Sequence, residues 1–231
     1  MKIFAISDLH LSLSEEKPMD IFGGAWENYL QIIKQDWLEK VNDDDIVILA
    51  GDLSWAMRMD QFENDLKFFD DLPGKKIIVR GNHDYWWSSY AKVKQALPEN
   101  FFALQNNAMK IGDYVFCGTR GWGLPNEEFT EEDQKIYARE QIRLDLALKN
   151  AKTMLNEGDK LIVILHYPPY NFKNLDNEMM RLLYDAKPFA VVFGHIHKSR
   201  GKYRLVEQIQ GCKYYLTSCD LLENKLVQID D

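Results

Sequence analysis

The chain is poor in several features that define large protein classes. It has three cysteines in 231 residues, Cys117, Cys212 and Cys219, an odd number with no metal-type spacing. Cys117 and Cys219 sit in or beside strand-like runs and read as reduced, buried thiols, not as ligands or a redox pair. No stretch approaches the roughly 18 apolar residues of a membrane helix. The opening segment Met1-Lys2-Ile3-Phe4-Ala5-Ile6-Ser7-Asp8 meets an aspartate before a signal-peptide apolar region has formed. A cytoplasmic location without a membrane partner is therefore expected. Positive charge is also short, with Lys+Arg 28 against Asp+Glu 36 and a formal net charge of −8. Tight non-specific binding to a nucleic-acid backbone favours the opposite balance. A nuclease is not excluded on that ground, because bound metals reverse the field locally. No internal repeat, low-complexity tract or linker divides the chain, so residues 1–231 read as a single domain.

Hydrophobic residues at 46% and charged residues at 28% are ordinary for a globular protein with a full core. The pattern is short apolar runs alternating with helix-period segments. Residues 2–7, 45–50, 75–80, 160–165 and 189–194 are apolar almost throughout and rich in β-branched residues, as strands covered on both faces should be. Between them, Leu30, Ile33, Trp37 and Val41 fall on one helix face, and so do Met59, Phe62, Leu66 and Phe69. Leu72-Pro73-Gly74 ends the second of these. A longer helix is predicted over about residues 131–156, capped by Thr130 with Asp133 in the box position and followed by Gly158. Residues 101–119 and 203–229 have shorter runs broken by turn residues, read as antiparallel strands that extend the sheet or form a second one. The fold class is α/β, layered, and mostly parallel near its centre.

Histidine is scarce as well, and its placement is informative. The chain has five, His10, His83, His166, His195 and His197. Every one follows an apolar strand: Asp8-Leu9-His10, Gly51-Asp52, Gly81-Asn82-His83-Asp84, His166 and Gly194-His195-Ile196-His197 end the five runs in order. Ligands of α/β sheets bind outside the carboxyl ends of strands, so these groups are expected in one crevice. Carboxylate and amide oxygens with imidazole nitrogens suit Mn, Fe, Zn or Co better than Ca or copper(I). Two such ions, roughly 3.5–4 Å apart, clamp a phosphate and activate a bridging water as nucleophile. A shared carboxylate must hold them against their repulsion, and Asp52, behind a glycine, is placed to be that bridge.

Each residue also has a plainer reading. Asp8 and Asp52 are good helix or turn caps, and Asn82 suits a left-handed turn position. His166 could be a hydrogen-bonded strand-end histidine, and His83–Asp84 a satisfied polar pair. Together those readings require five independent coincidences. Trp55, Tyr85, Trp86, Trp87, Trp122 and Tyr170 lie near the motifs and form either a collar that stacks a planar ligand or ordinary packing. Residues 11–29 are expected to loop beside Asp8 and wall the pocket. Arg80, Arg120 and Arg200 are candidate phosphate contacts, because guanidinium forks onto phosphate oxygens. With Trp86 and Tyr170, Arg80 and Arg120 make up the expected substrate-binding set.

The five motifs, in order and in register from Asp8 to His197, resemble those of the calcineurin-like metallophosphoesterase superfamily. The resemblance implies a four-layer sandwich of two packed mixed β-sheets flanked by helices. It implies two divalent or trivalent transition-metal ions, one held by Asp8, His10, Asp52 and His197, the other by Asp52, Asn82, His166 and His195. His83 would approach the substrate, and Asp84 would orient its ring, as the catalytic pair. The implied activity is hydrolysis of a small-molecule phosphate ester, a phosphodiester before a monoester or pyrophosphate. The alternative class is a non-catalytic metal-binding scaffold. Gly51-Asp52-Leu53-Ser54-Trp55 departs from the Gly-Asp-x-Val-Asp-Arg-Gly stretch of the Ser/Thr protein phosphatases, and His83 departs from the arginine of the UDP-diacylglucosamine pyrophosphohydrolases. The length after His197 leaves no room for the capping domain of the family's nucleases. The pattern is most similar to small bacterial phosphodiesterases.

Overall fold

The structure is a computed structural model and describes residues 1–13, 19–171, 174–197 and 203–229. Two sheets lie face to face. In the first, β1 (Ile3–Ile6), β2 (Ile46–Leu49), β3 (Lys75–Val79) and β4 (Phe101–Leu104) run parallel, and β11 (Val227–Gln228) pairs antiparallel with β1. In the second, β6 (Tyr114–Thr119), β7 (Lys160–Leu165), β8 (Ala190–Phe193) and β10 (Cys212–Leu216) are parallel. Antiparallel β5 (Asn107–Ile111) and β9 (Val206–Ile209) form its two edges.

The alternation of side chains along each strand explains the layers. Ile3, Ala5, Ile46, Ile48, Ile77 and Val79 face Phe116, Ile162, Ile164, Ala190 and Val192 across the space between the sheets. Their neighbours Phe4, Ile6, Val47, Leu49 and Ile78 face outward, under α1 (Tyr29–Lys40), α2 (Met59–Asp65) and α3 (Tyr90–Ala96). On the far side, Val115, Cys117, Val163, Leu165 and Val191 pack under α4 (Glu131–Lys152) and α5 (Glu178–Ala186). The five motif strands are thus buried on both faces, as their composition predicted.

Three expectations need correction. β4, expected to be antiparallel, pairs parallel with β3, while β6 and β10 pair antiparallel with β5 and β9 as expected but also run parallel to β7 and β8, which joins both hairpins to a parallel centre. The long helix has the predicted cap: Asp133 N–H donates to Thr130 Oγ1 (3.1 Å), and Thr130 N–H donates to Asp133 Oδ2 (3.0 Å). It ends at Lys152, short of residue 156, where Thr153 Oγ1 turns back to donate to the Asn150 carbonyl (2.7 Å). The segment after α2 tightens into a 3-10 turn over Leu66–Phe69, which keeps the predicted apolar face buried.

The sheets meet at the carboxyl ends of their strands. Ser7, just past β1, donates its N–H to the Thr217 carbonyl (2.8 Å), and Ser7 and Ser218 form a parallel bridge. This junction carries the end of β1 onto the segment following β10, so the loops of both sheets share one crevice.

Candidate metal centre

Strands β1, β2 and β3 of one sheet deliver Asp8, His10, Asp52 and Asn82; β7 and β8 of the other deliver His166, His195 and His197. The chain turns sharply at these ends. Asp8 (φ 59°), His10 (47°), Asp52 (51°) and His195 (71°) all adopt the left-handed region. Such a conformation costs about 1–3 kcal/mol for a non-glycine residue and persists only where the surroundings enforce it. Here Asp8 N–H donates to the Gly51 carbonyl and His10 N–H to the Asp52 carbonyl, both at 3.0 Å. Close approach adds to this. A Cβ at Gly81 would overlap the Asp52 carboxylate, and one at Gly194 would overlap Ser7 Oγ and the Asp8 carboxylate. The two motif glycines let backbone press against the acids.

The donor atoms fall into two clusters. Asp8, His10 and His197 form one, and Asp52, His166 and His195 the other; within each, the donor atoms all lie within 4.8 Å of one another. Asp52 stands between them, its Oδ2 3.9 Å from His10 Nε2 and 3.4 Å from His166 Nε2. Asn82 Oδ1 joins the second cluster, 2.7 Å from His166 Nε2 and 2.8 Å from His195 Nδ1. His166 Nδ1 lies 3.0 Å from the Ala50 carbonyl, to which it donates, leaving Nε2 for the centre. The seven expected ligands are therefore brought together.

These residues fit a pair of metal ions. Asp8 and Asp52 are buried, and among the described residues neither meets a lysine or arginine. Burying a carboxylate away from water costs several kcal/mol unless a cation answers it. Asp52 has His166 Nε2 at 3.4 Å, whereas His10 Nε2 at 3.9 Å from Asp52 and His197 Nε2 at 3.7 Å from Asp8 are too far for a hydrogen bond. Burial pushes Asp8 above its usual range. Burial opposes the charge on Asp52 too, but His166 and His10 outweigh it and hold Asp52 well below. His10 and His195 are driven down to about 3, chiefly by burial. They are neutral at pH 7, the form that binds a metal. Burial also disfavours charge on His166, yet Asp52 and Asp8 lift it to about 9, so metal binding there displaces a proton.

Other expected residues do different work. Asp84 does not orient His83. Its carboxylate accepts N–H bonds from Asp52 (3.0 Å), Leu53 (2.9 Å), Ser54 (3.2 Å) and Gly81 (2.7 Å), and from Trp86 Nε1 (2.9 Å). It clamps the β2 and β3 loops together. Burial and the charge of Asp52 nevertheless lift it to about 6. His83 stands outside both donor clusters; its N–H donates to Asp52 Oδ1 (2.8 Å), and its Nδ1 is buried without a partner. Trp86 is not a substrate contact: it is 2% exposed and stacked on Phe62 at 3.5 Å. Tyr170, 3% exposed, packs edge-on against Phe193 and Tyr214 in the core of the second sheet. Trp87 is likewise core. Trp55 remains at the site, stacked on His10 at 4.7 Å and tilted over His83 at 4.5 Å. Trp26 supplies the wall expected of residues 11–29, with its ring 5.7 Å from that of His197. Arg80 and Arg120 line a separate pocket, and Arg200 lies outside the described residues.

Sequence reasoning missed Asp220. Its Oδ1 accepts from His197 Nδ1 at 2.8 Å, turning Nε2 toward Asp8. Its sequence signal was faint: Asp220 lies beyond the apolar run Tyr214-Tyr215-Leu216, but separated from it by Thr217-Ser218-Cys219. Ser7 and Ser218, whose hydroxyls donate to Asp8 Oδ2, were missed too. So was Tyr167, with its ring 4.1 Å from that of His195. Beside His195 opens a pocket of about 450 Å³, walled by Trp122, Phe129, Tyr167, Ile196 and Tyr203.

Paired sheets that gather imidazole and carboxylate donors at the ends of their parallel strands define a metal-dependent hydrolase of phosphate esters. The chain belongs to the calcineurin-like phosphoesterase family, whose sequence model matches residues 1–199. No curated protein sequence matches it. Its fold is shared with solved structures of low identity. The phosphopantetheinyl hydrolase of Mycobacterium tuberculosis is 15% identical with a TM-score of 0.57, over 98% of this chain and 95% of that one. The anchor in the inner membrane complex of Plasmodium is 15% identical with a TM-score of 0.54, over 95% and 72%. A protein of unknown function from Aquifex aeolicus is 13% identical with a TM-score of 0.50, over 98% and 95%. Among the described residues, no helix is long and apolar enough to cross a membrane.

Proposed function

We propose that the protein hydrolyses a small phosphodiester at a dinuclear centre. The observation that carries this reading is the position of Asp52, whose Oδ2 faces a histidine of each donor cluster. Asp8, His10, Asp52 and His197 would hold one ion, and Asp52, Asn82, His166 and His195 the other. When bound, such ions polarise phosphoryl oxygens and acidify water, and Mn, Fe, Zn and Co all suit the donors. The protein's own contribution is placement. Asp84 fixes the loops that carry Asp52 and Asn82, and Asp220 fixes His197. His83, outside both clusters but with its ring 5.6 Å from that of His10, would give a proton to the leaving oxygen.

The pocket beside His195 favours a diester. Its described lining includes Glu128 and Asp133 and contains no lysine or arginine. A second anionic phosphoryl group is unwelcome there, whereas an uncharged alcohol with an apolar or planar body is accommodated. A non-catalytic metal-binding scaffold would hold the same ions but show no turnover of either ester class. The test is a metal-stripped preparation reconstituted in turn with Mn, Fe, Zn, Co and Mg, and assayed on a nitrophenyl phosphodiester and the matching monoester. The expected result is a higher kcat/KM for the diester. A clearly higher value for the monoester would reverse the assignment.

A further inference from the structure

A second pocket lies beside the metal centre and shares no lining residue with either donor cluster. Its volume is about 190 Å³, and its walls include Arg80, Gln105, Thr119, Arg120, Arg139 and Arg143. Three parts of the chain converge there. Arg80 follows β3, Arg120 follows β6, and α4 presents Arg139 and Arg143, four residues apart on one helix face.

The charges in this pocket are not balanced. Glu140 is the nearby carboxylate, fully buried, and it is already occupied by Arg143 (2.5 Å), Thr119 Oγ1 (2.7 Å) and Gly121 N–H (3.2 Å). Among the described residues, Arg80, Arg120 and Arg139 form no ion pair. Arg80 Nε and Arg120 Nε are buried without a hydrogen-bond partner. Arg120 gains partial compensation from the face of Trp122, 4.6 Å away. Buried polar groups are almost always satisfied, and guanidinium groups are forked donors suited to tetrahedral oxyanions. The volume is below the roughly 300–1,000 Å³ of sites that enclose a drug-sized ligand, so one phosphate-sized group is the matching occupant.

We propose that this arginine pocket binds a phosphate-type oxyanion at a site separate from the metal centre. The occupant is either free phosphate or an outlying phosphoryl group of a substrate; both offer the same oxygens. Arg80 precedes Asn82 by two residues, and the Arg120 carbonyl accepts the N–H groups of His166 and Tyr167, each at 3.0 Å. An anion held by both arginines ties together the segments that carry two donors of one cluster. Occupancy of the pocket therefore stiffens the metal centre.

Equilibrium dialysis of inorganic phosphate against metal-loaded protein, and against the metal-stripped form, tests this. The wild type is expected to retain one bound phosphate per chain after metal removal. Arg139→Glu, on the exposed face of α4, should weaken that binding at least about ten-fold, and Arg80→Gln should do the same. The source is decided by kinetics. An Arg139→Glu increase in KM confined to substrates with a second phosphoryl group assigns the pocket to substrate. Unchanged KM values with loss of phosphate-dependent thermal stabilisation assign it to the free anion. Phosphate binding that vanishes with the metals, or that both variants leave intact, would overturn the proposal.

Discussion

His83 and Asp84 are adjacent in sequence, yet their surroundings give them different work. Asp84 is a fully buried acceptor of five hydrogen bonds. Asp84→Asn replaces one acceptor oxygen with an amide that faces N–H donors. A hydrogen bond to a charged group is worth about 1.5–3 kcal/mol, so a loss of about 3 kcal/mol is expected in urea unfolding. A change below 1 kcal/mol would show that the clamp does not hold the loops. His83→Ala should leave stability and metal content intact. It should lower hydrolysis of alkyl phosphodiesters by about 10²–10⁴-fold while sparing much of the nitrophenyl activity, because nitrophenolate leaves without a proton. Equal losses on both substrates would remove His83 from the role of leaving-group acid. Asp220→Asn weakens the bond that aims His197. A decrease of about 10–100-fold in affinity for one of the ions is expected in chelator competition, with the other unaffected.

At the scale of elements, the strands that carry the site were legible because burial on both faces leaves an unbroken apolar run. Ile46-Val47-Ile48-Leu49 and Leu161-Ile162-Val163-Ile164 are short, β-branched-rich runs of that kind. The antiparallel pairings of β6 and β10 with β5 and β9 were legible, but the parallel pairings of β4, β6 and β10 were not. Direction depends on which distant strand lies alongside, and neither Phe101–Leu104 nor Cys212–Leu216 encodes its neighbour. Trp86 shows the same limit for a side chain: its nearness to His83 in sequence suggested ligand stacking, but its ring meets Phe62 of α2. Trp86→Ala is expected to cost about 3–5 kcal/mol with little change in KM of the folded fraction. A large KM effect with stability preserved would return Trp86 to the substrate site. Gly81 is where two elements touch. Gly81→Ala forces a methyl into Asp52, so metal binding should fail before the fold does.

The whole molecule brings two sheets together so that buried acids from one and histidines from the other face each other. The gathering of the seven candidate donors was legible because strand ends on one edge share a crevice. Asp220 was not, because the sequence does not reveal that β10 runs parallel to β8 and ends beside it. The central claim is that Asp52 joins the two donor clusters into one dinuclear centre. Elemental analysis of metal-replete wild-type and Asp52→Asn protein tests it directly. About two transition-metal ions per chain are expected in the wild type, with occupancy of both lowered in Asp52→Asn. At most one ion per chain in the wild type, or a variant that retains both, would contradict it.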